Sequence, residues 1–521
     1  MVISGRSHWV VALQVALTFL FAGSILWINF HSAFWYDMDM ALNSYLAGLI
    51  WNESTLFPQN WIFGNSFFII ESSNLAAPFY GLTHQTTLSM SLASSLWMFI
   101  LMGTFIWCLK PFVPGNGLVV GTMCLIGGII FGTSAASYTK GLQVLYTMAS
   151  YYGCYLEVLL LSIGGWLRLY NKQNLHWTLW GVILLLNFAV GMHSLREMLI
   201  LGIPLLGLSG LLFLTDKTRR NRNAILLAIL ILLAEALGYL FIKQLHIPAS
   251  PNIGGIQTEW GIDSLLANFV NSSKNLLRIS GIAFIKDGAS YLPLFLCALC
   301  VCGCCFWSLI DILRKKETSP LSLFILFAWF SILAVFGVGI FFFRTRDIYF
   351  FIYWLLATLS IVYLTTNKGG KKRIWLTSAV CLVAAINYGY NFLPDFRDYH
   401  KYAPQMKETT QWLIEEGYTT LYGDDCAVFA AASQDRIVAT PIRLNLDDLN
   451  EPLLKVFPYN KDISLYDDEH RRHSFVCISN YYLDQPGGIA EKVISRRMRC
   501  IGDYEWGPRR ILLYATESDY E

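Results

Sequence analysis

Charge is what this sequence has least of. Only 14% of its 521 residues are Asp, Glu, Lys or Arg, against about 25% in a soluble globular domain. Too few are present to build a water-facing surface, and 55% of the residues are hydrophobic before the 39 glycines are added. Spread evenly, the charges would put roughly three into every stretch long enough to cross a bilayer, about 20 residues. Many such stretches are nearly empty instead. The charges therefore lie between apolar blocks, which excludes a soluble enzyme, a disordered tail and a collagenous chain. The fold class this predicts is a polytopic α-helical membrane protein, with the lipid bilayer as its first partner. An excess of one sign is missing as well, since 38 basic and 36 acidic residues leave a net charge of +2. No basic stripe interleaved with aromatics is present, so nucleic acid is excluded as a partner.

Other absences narrow the reading further. The 12 cysteines contain no paired CxxC spacing of the metal-binding kind, and Cys297, Cys300, Cys302, Cys304 and Cys305 share one apolar span. Small polarizable side chains of that sort pack between helices. The last 120 or so residues contain no glycine-rich phosphate loop, and no long-period repeat occurs anywhere. The first apolar segment, from about Trp9 to Phe30, exceeds a signal-peptide core of about 7–15 residues and lacks a small-residue cleavage site, so it is expected to be retained as a helix.

Apolar blocks of about 16–25 residues begin near Trp9, Leu88, Leu118, Tyr146, Trp177, Met198, Ala224, Tyr291, Leu321, Ile348 and Ile374, which predicts about eleven spans. Alternate connections carry Arg6; Lys110; Arg168 and Lys172; Lys217, Arg219, Arg220 and Arg222; Arg314, Lys315 and Lys316; and Lys368, Lys371, Lys372 and Arg373. The positive-inside rule assigns these to the cytoplasm. The chain is then a multi-pass protein of the cytoplasmic (plasma) membrane, with its N-terminus inside and everything after about Tyr390 outside. The expected division is a transmembrane domain over 1–391, with long outer loops at 31–87 and 244–287, and a soluble extracytoplasmic α/β domain over 392–521.

The first outer loop contains no Lys or Arg and is rich in aromatics. Helical spacing of Ala41, Leu42, Tyr45, Leu46, Leu49 and Ile50 predicts a helix lying in the membrane interface, and a second is expected over Phe67 to Phe79. In the last domain, helices are expected over 403–416, 427–433 and 488–496, and strands over 420–423, 436–441, 475–479 and 511–515.

Chemistry concentrates at Phe34-Trp35-Tyr36-Asp37-Met38-Asp39, directly after the first span. Two carboxylates at a water-membrane boundary can ligate a divalent cation, bind a sugar hydroxyl or act as a general base. Capping of the following helix by one of them accounts for the same residues. At the outer end of the ninth span stand Arg344 and Arg346, next to Asp347. Their planar forks suit phosphate, whereas interface snorkelling or an ion pair with Asp347 is the alternative. A short connection holds His193, Arg196 and Glu197: assistance in catalysis and phosphate binding, or a mutual Arg-Glu tether. Lys140, alone between the third and fourth spans, and Trp260, with Glu259 and Asp263 in the fourth outer loop, are further candidates for substrate binding. Glu157 and Glu235 fall within spans, where an ionisable group is costly and faces a cavity or partner. Asn52-Glu53-Ser54 and Asn271-Ser272-Ser273 fit the glycosylation sequon and are expected outside.

The acidic, aromatic first outer loop with Asp-x-Asp after the first span, the threading and the external C-terminal domain together resemble the GT-C superfamily of integral-membrane glycosyltransferases. The likeness covers most of the chain as architecture. It implies an inverting hexosyl- or pentosyltransferase that takes sugar from a polyprenyl-phosphate-linked donor and passes it to an extracytoplasmic acceptor, a cell-surface glycan or lipid. It further implies that Asp37 or Asp39 is catalytic; whether these carboxylates also hold a divalent cation such as Mg, Mn or Zn as a cofactor, or none, is left open by the resemblance. A WWD-type acceptor motif and the paired Asp-Glu of the mannosyltransferase branch are both absent, so neither branch's acceptor is implied. A secondary transporter or lipid flippase using Glu157 and Glu235 is the alternative, although such proteins usually carry internal repeats.

Overall fold

A computed structural model of the chain describes residues 5–31, 38–63, 69–129, 153–215, 222–245, 262–283, 288–342, 345–367, 370–423, 427–444, 454–456, 461–478, 489–496, 498–506 and 509–516. The helices in chain order are α1 (Gly5–His31), α2 (Met38–Asn52), α3 (Ser72–Thr83), α4 (Thr86–Leu109), α5 (Gly115–Ile129), α6 (Gly153–Tyr170), α7 (Trp177–His193), α8 (Ile203–Thr215), α9 (Arg222–Ile242), α10 (Ile262–Ile279), α11 (Leu292–Lys315), α12 (Pro320–Phe341), α13 (Ile352–Asn367) and α14 (Gly370–Glu415). A π-helical turn, Met198–Gly202, leads into α8.

A helix stands at each predicted apolar block. By length and composition, eight stretches among the described residues can cross a membrane, while Gly115–Gly127 and Trp177–His193 are shorter apolar helices. Local sequence sets several ends: Ser319 accepts from Ser322 N–H with Pro320 in the first turn of α12, an N-cap followed by a residue whose missing N–H costs nothing there. Burial sorts the bundle. α6 is buried along nearly its whole length, and 94% of the span that contains α13 is enclosed, against 28–33% for those of α1, α9 and α11. α6 and α13 form the centre of the bundle, with α1, α9 and α11 at its periphery.

Three expectations change. The Ala41–Ile50 helix exists as α2, but Leu42, Leu46, Ala47 and Ile50 are buried against Trp61, Phe63 and Ala77 and against Ala76 and Ala93. Protein rather than lipid covers its apolar face. The second helix of that connection starts later than expected, at Ser72. Within the 244–287 connection lies α10, whose polar side docks by Asn271, Ser272 and Asn275 onto Thr345. Asn271 thus donates its amide to a protein carbonyl at 3.0 Å, which ties up that sequon.

α14 runs unbroken for 46 residues, about 69 Å at helical rise, more than twice the hydrocarbon thickness. The 391/392 boundary falls inside it. Its last turns join the α/β domain, where a six-stranded sheet has the order β4 (Leu454–Val456), β3 (Val438–Leu444), β2 (Thr420–Gly423), β6 (Ser474–Ile478), β8 (Arg509–Ala515), β7 (Arg499–Trp506). β2 is parallel to β3 and β6, and β8 is antiparallel to β6 and β7. Alternation builds two cores: Leu421, Phe475 and Leu513 face Leu413 and Phe429, whereas Tyr422, Val476 and Leu512 face Ile494 and Met498. The remaining strands form a separate pair, β1 (Trp61–Ile62) from the first connection and β5 (Lys461–Asp462) from the domain, antiparallel. The domain is therefore stitched to the first connection and lies on its side of the bundle.

Candidate functional site

Three connections remote in sequence meet at that end of the bundle. The first contributes Ile69 to Glu71, the second is 193–197, and the third is the turn 345–350. The imidazole of His193, last residue of α7, accepts from the backbone N–H of Ile69 at 2.8 Å and of Ile70 at 3.1 Å. The guanidinium of Arg196 lies 4.9 Å from the ring of Tyr349 and 5.8 Å from that of Tyr155, within cation–π range of both. Tyr349 N–H in turn donates to the Arg346 carbonyl at 3.1 Å, so Arg196 and Arg346 border one aromatic residue. Arg346 is exposed, and Asp347 turns its carboxylate to the N–H of Ile348. The 345 end is held by the amides of α10 already described.

Close helix contact places the buried acids. Gly191 and Gly238 let α7 and α9 touch through backbone: a Cβ on Gly238 would strike the Phe188 carbonyl, and one on Gly191 the backbone of Glu235. The Glu235 carboxylate rests on Gly202, where a Cβ would collide with Oε2. The π-turn that ends there frees the Ile200 carbonyl, which accepts from Ser331 at 2.6 Å; such turns recur at functional positions. Glu197, fully buried just before this turn, has no hydrogen-bond partner for either oxygen among the described residues. The Arg196–Glu197 tether expected from sequence is thus not formed through hydrogen bonds.

Glu71, unremarked in the sequence, is buried to 4% exposure at the residue before α3. Burial pushes its carboxyl up to about 8. The signal that could have found it is a single carboxylate between Ile69-Ile70 and a Ser-Ser pair in a connection without any cation to pair with. Of the other candidates, Asp37, Lys140, Trp260 and Arg344 lie outside the described residues. Asp39 is in the first turn of α2, its side chain also outside them, and Asp37 immediately precedes that helix. Among the described residues no group of three or more His, Cys, Asp or Glu is arranged to hold a metal ion.

No protein-family model matches the chain, and no curated protein does. Among the solved structures similar to it are two of ArnT from Cupriavidus metallidurans. The apo form shares 12% identity over 98% of each chain, with a TM-score of 0.49. The form bound to undecaprenyl phosphate shares 12% identity over 95% of this chain and 97% of that one, with a TM-score of 0.46. These are likenesses of fold alone.

Proposed function

We propose that the chain is a GT-C-type membrane glycosyltransferase that moves a sugar from a polyprenyl-phosphate-linked donor to a glycan or lipid acceptor outside the cytoplasmic membrane. The observation that supports this best is the convergence of the first connection with the two arginine-bearing turns. Arg196, steadied between Tyr155 and Tyr349, together with Arg346 and Arg344, supplies guanidinium donors for the phosphate at the end of a lipid-embedded tail. Asp37 or Asp39 takes the proton of the acceptor hydroxyl as its oxygen attacks the anomeric carbon, with inversion, while the cations stabilise the departing phosphate. The same two carboxylates are the ligands proposed for a divalent cation, which would supply further charge stabilisation there.

The outward placement has a chemical correlate: Cys477 in the α/β domain is disulfide-bonded, and such bridges persist in oxidising compartments. The buried carboxylate of Glu235, which has no hydrogen-bond partner among the described residues, and the buried Glu157 favour a second reading as a secondary transporter or lipid flippase. Transfer of radiolabelled sugar from a polyprenyl-phosphate donor by the purified chain in nanodiscs separates the two. Asp37→Asn or Asp39→Asn should slow that transfer about 100-fold or more, whereas loss of a helix cap costs only about 1 kcal/mol of stability. Undiminished transfer by both variants would return these carboxylates to capping, and solute movement across the bilayer without sugar transfer would establish transport.

A further inference from the structure

We propose that His193 is a positioning residue whose imidazole latches the first connection onto the turn that carries Arg196. His193 is 3% exposed, and its Nε2 accepts two backbone N–H groups, from Ile69 and Ile70. A ring nitrogen that accepts carries no proton, so the neutral imidazole holds its hydrogen on Nδ1. That Nε2 lone pair is committed to the backbone, which leaves it no role as a base or metal ligand.

The latch is anchored at both ends. On the first connection, the Asn74 amide donates to the Ile69 carbonyl at 2.5 Å, so Ile69 is gripped through both its donor and its acceptor before α3 begins. On the other side, the His193 ring meets Tyr155 edge to face, with centroids 5.7 Å apart at 72°, and Tyr155 is fully buried in central α6. The same Tyr155 ring lies near the Arg196 guanidinium. One tyrosine of a rigid helix therefore orients both the latch and the arginine, and Ile69 to Glu71 is fixed in register with Arg196. A site held this way on packed helices is preorganised, whereas loop contacts alone would leave it loose. Only the kinetic consequence rests on the glycosyltransferase reading.

Side-chain reach provides the test. Glutamine extends an amide oxygen to the neighbourhood of Nε2, while asparagine reaches only as far as Nδ1. Hydrogen exchange read by mass spectrometry on the full chain in nanodiscs should show protected amides at 69–70 in the wild type and in His193→Gln. In His193→Asn and His193→Ala exchange there should be faster by on the order of tenfold or more, with peptides from α12 and β6 unchanged. In the sugar-transfer assay donor KM should rise in the Asn and Ala variants and recover with Gln, with kcat moving less. Unprotected wild-type amides at 69–70 overturn the latch even if the shorter variants fail to fold. Equal protection in His193→Asn, or lost protection with donor KM unmoved, also overturns it. A chain with no sugar transfer at all but with this exchange pattern overturns the glycosyltransferase reading and upholds the latch.

Discussion

Thr86 opens α4, and its cap comes from Asp435, 349 residues later: the carboxylate accepts from Thr86 N–H at 2.5 Å and from Thr86 Oγ1 at 2.7 Å. Asp435 adopts a left-handed φ of 66°, a conformation that aspartate tolerates better than most residues. Gln85, the residue before α4, makes no side-chain cap of its own. The α/β domain therefore completes a membrane helix. Tyr45, donating to Asp462 at 3.0 Å, and the β1–β5 pair tie the same two parts together.

Replacing Asp435 by Ala should destabilise the chain by about 1 kcal/mol, the usual cost of a lost N-cap. Thermal unfolding in detergent checks the magnitude. Faster hydrogen exchange in the first turn of α4, with β6 unaffected, would locate the loss at the cap, and an unchanged first turn would exclude it.

The elevated pKa of Glu71 gives stability a pH dependence with a definite sign. Between the ordinary value of 4.5 and about 8, the folded chain retains a proton that the unfolded chain has released. Stability contributed at this position therefore falls as pH rises through that window and levels off above it. Melting temperatures measured from pH 5 to pH 9 should show this slope in the wild type and a shallower one in Glu71→Gln. Identical slopes would place the Glu71 carboxyl in water.

Arg196 should not be replaceable by lysine. An ammonium loses both the planar guanidinium 4.9 Å from the Tyr349 ring and the fork proposed to meet two phosphate oxygens. Arg196→Lys is expected to raise donor KM by on the order of tenfold, with acceptor KM nearly unchanged. Arg344→Lys and Arg346→Lys should move in the same direction. Donor titrations with all three variants unchanged would leave these arginines as interface anchors.

The threading can be read with a native thiol. Cys500, free and exposed on β7, should react with a membrane-impermeant maleimide in intact cells. In a Cys500→Ser background, Ser54→Cys should also label, because β1 and β5 hold its connection beside the same domain. Lys172→Cys, in the turn after α6, should label only after permeabilisation. The opposite pattern would invert the topology and move the site to the cytoplasm.

Much of this was written locally. The positions of the apolar helices, α2, and the strands at β2, β3, β6 and β8 follow from hydropathy, period and turn residues, each a property of neighbours along one short stretch of chain. β1, β4, β5 and β7 escaped such reading. β5 is two residues long and β7 is largely polar, so their strand character comes from the partner they pair with. The burial of α2 escaped as well, because an apolar stripe looks the same whether lipid or a folded domain is to cover it.

What the sequence by itself determined is that the chain is a membrane protein, where its helices lie, and which polar groups sit beside them. These depend on transfer free energies summed along short segments, and the bilayer fixes the segment length. Only the tertiary structure decided which connections meet. His193 bonds to residues 124 and 123 positions away, Asn275 to one 70 away, and Thr86 to one 349 away. Contacts at such separations form because packing of α6, α7, α9 and α13 brings helix ends together, and no local pattern of residues encodes that packing.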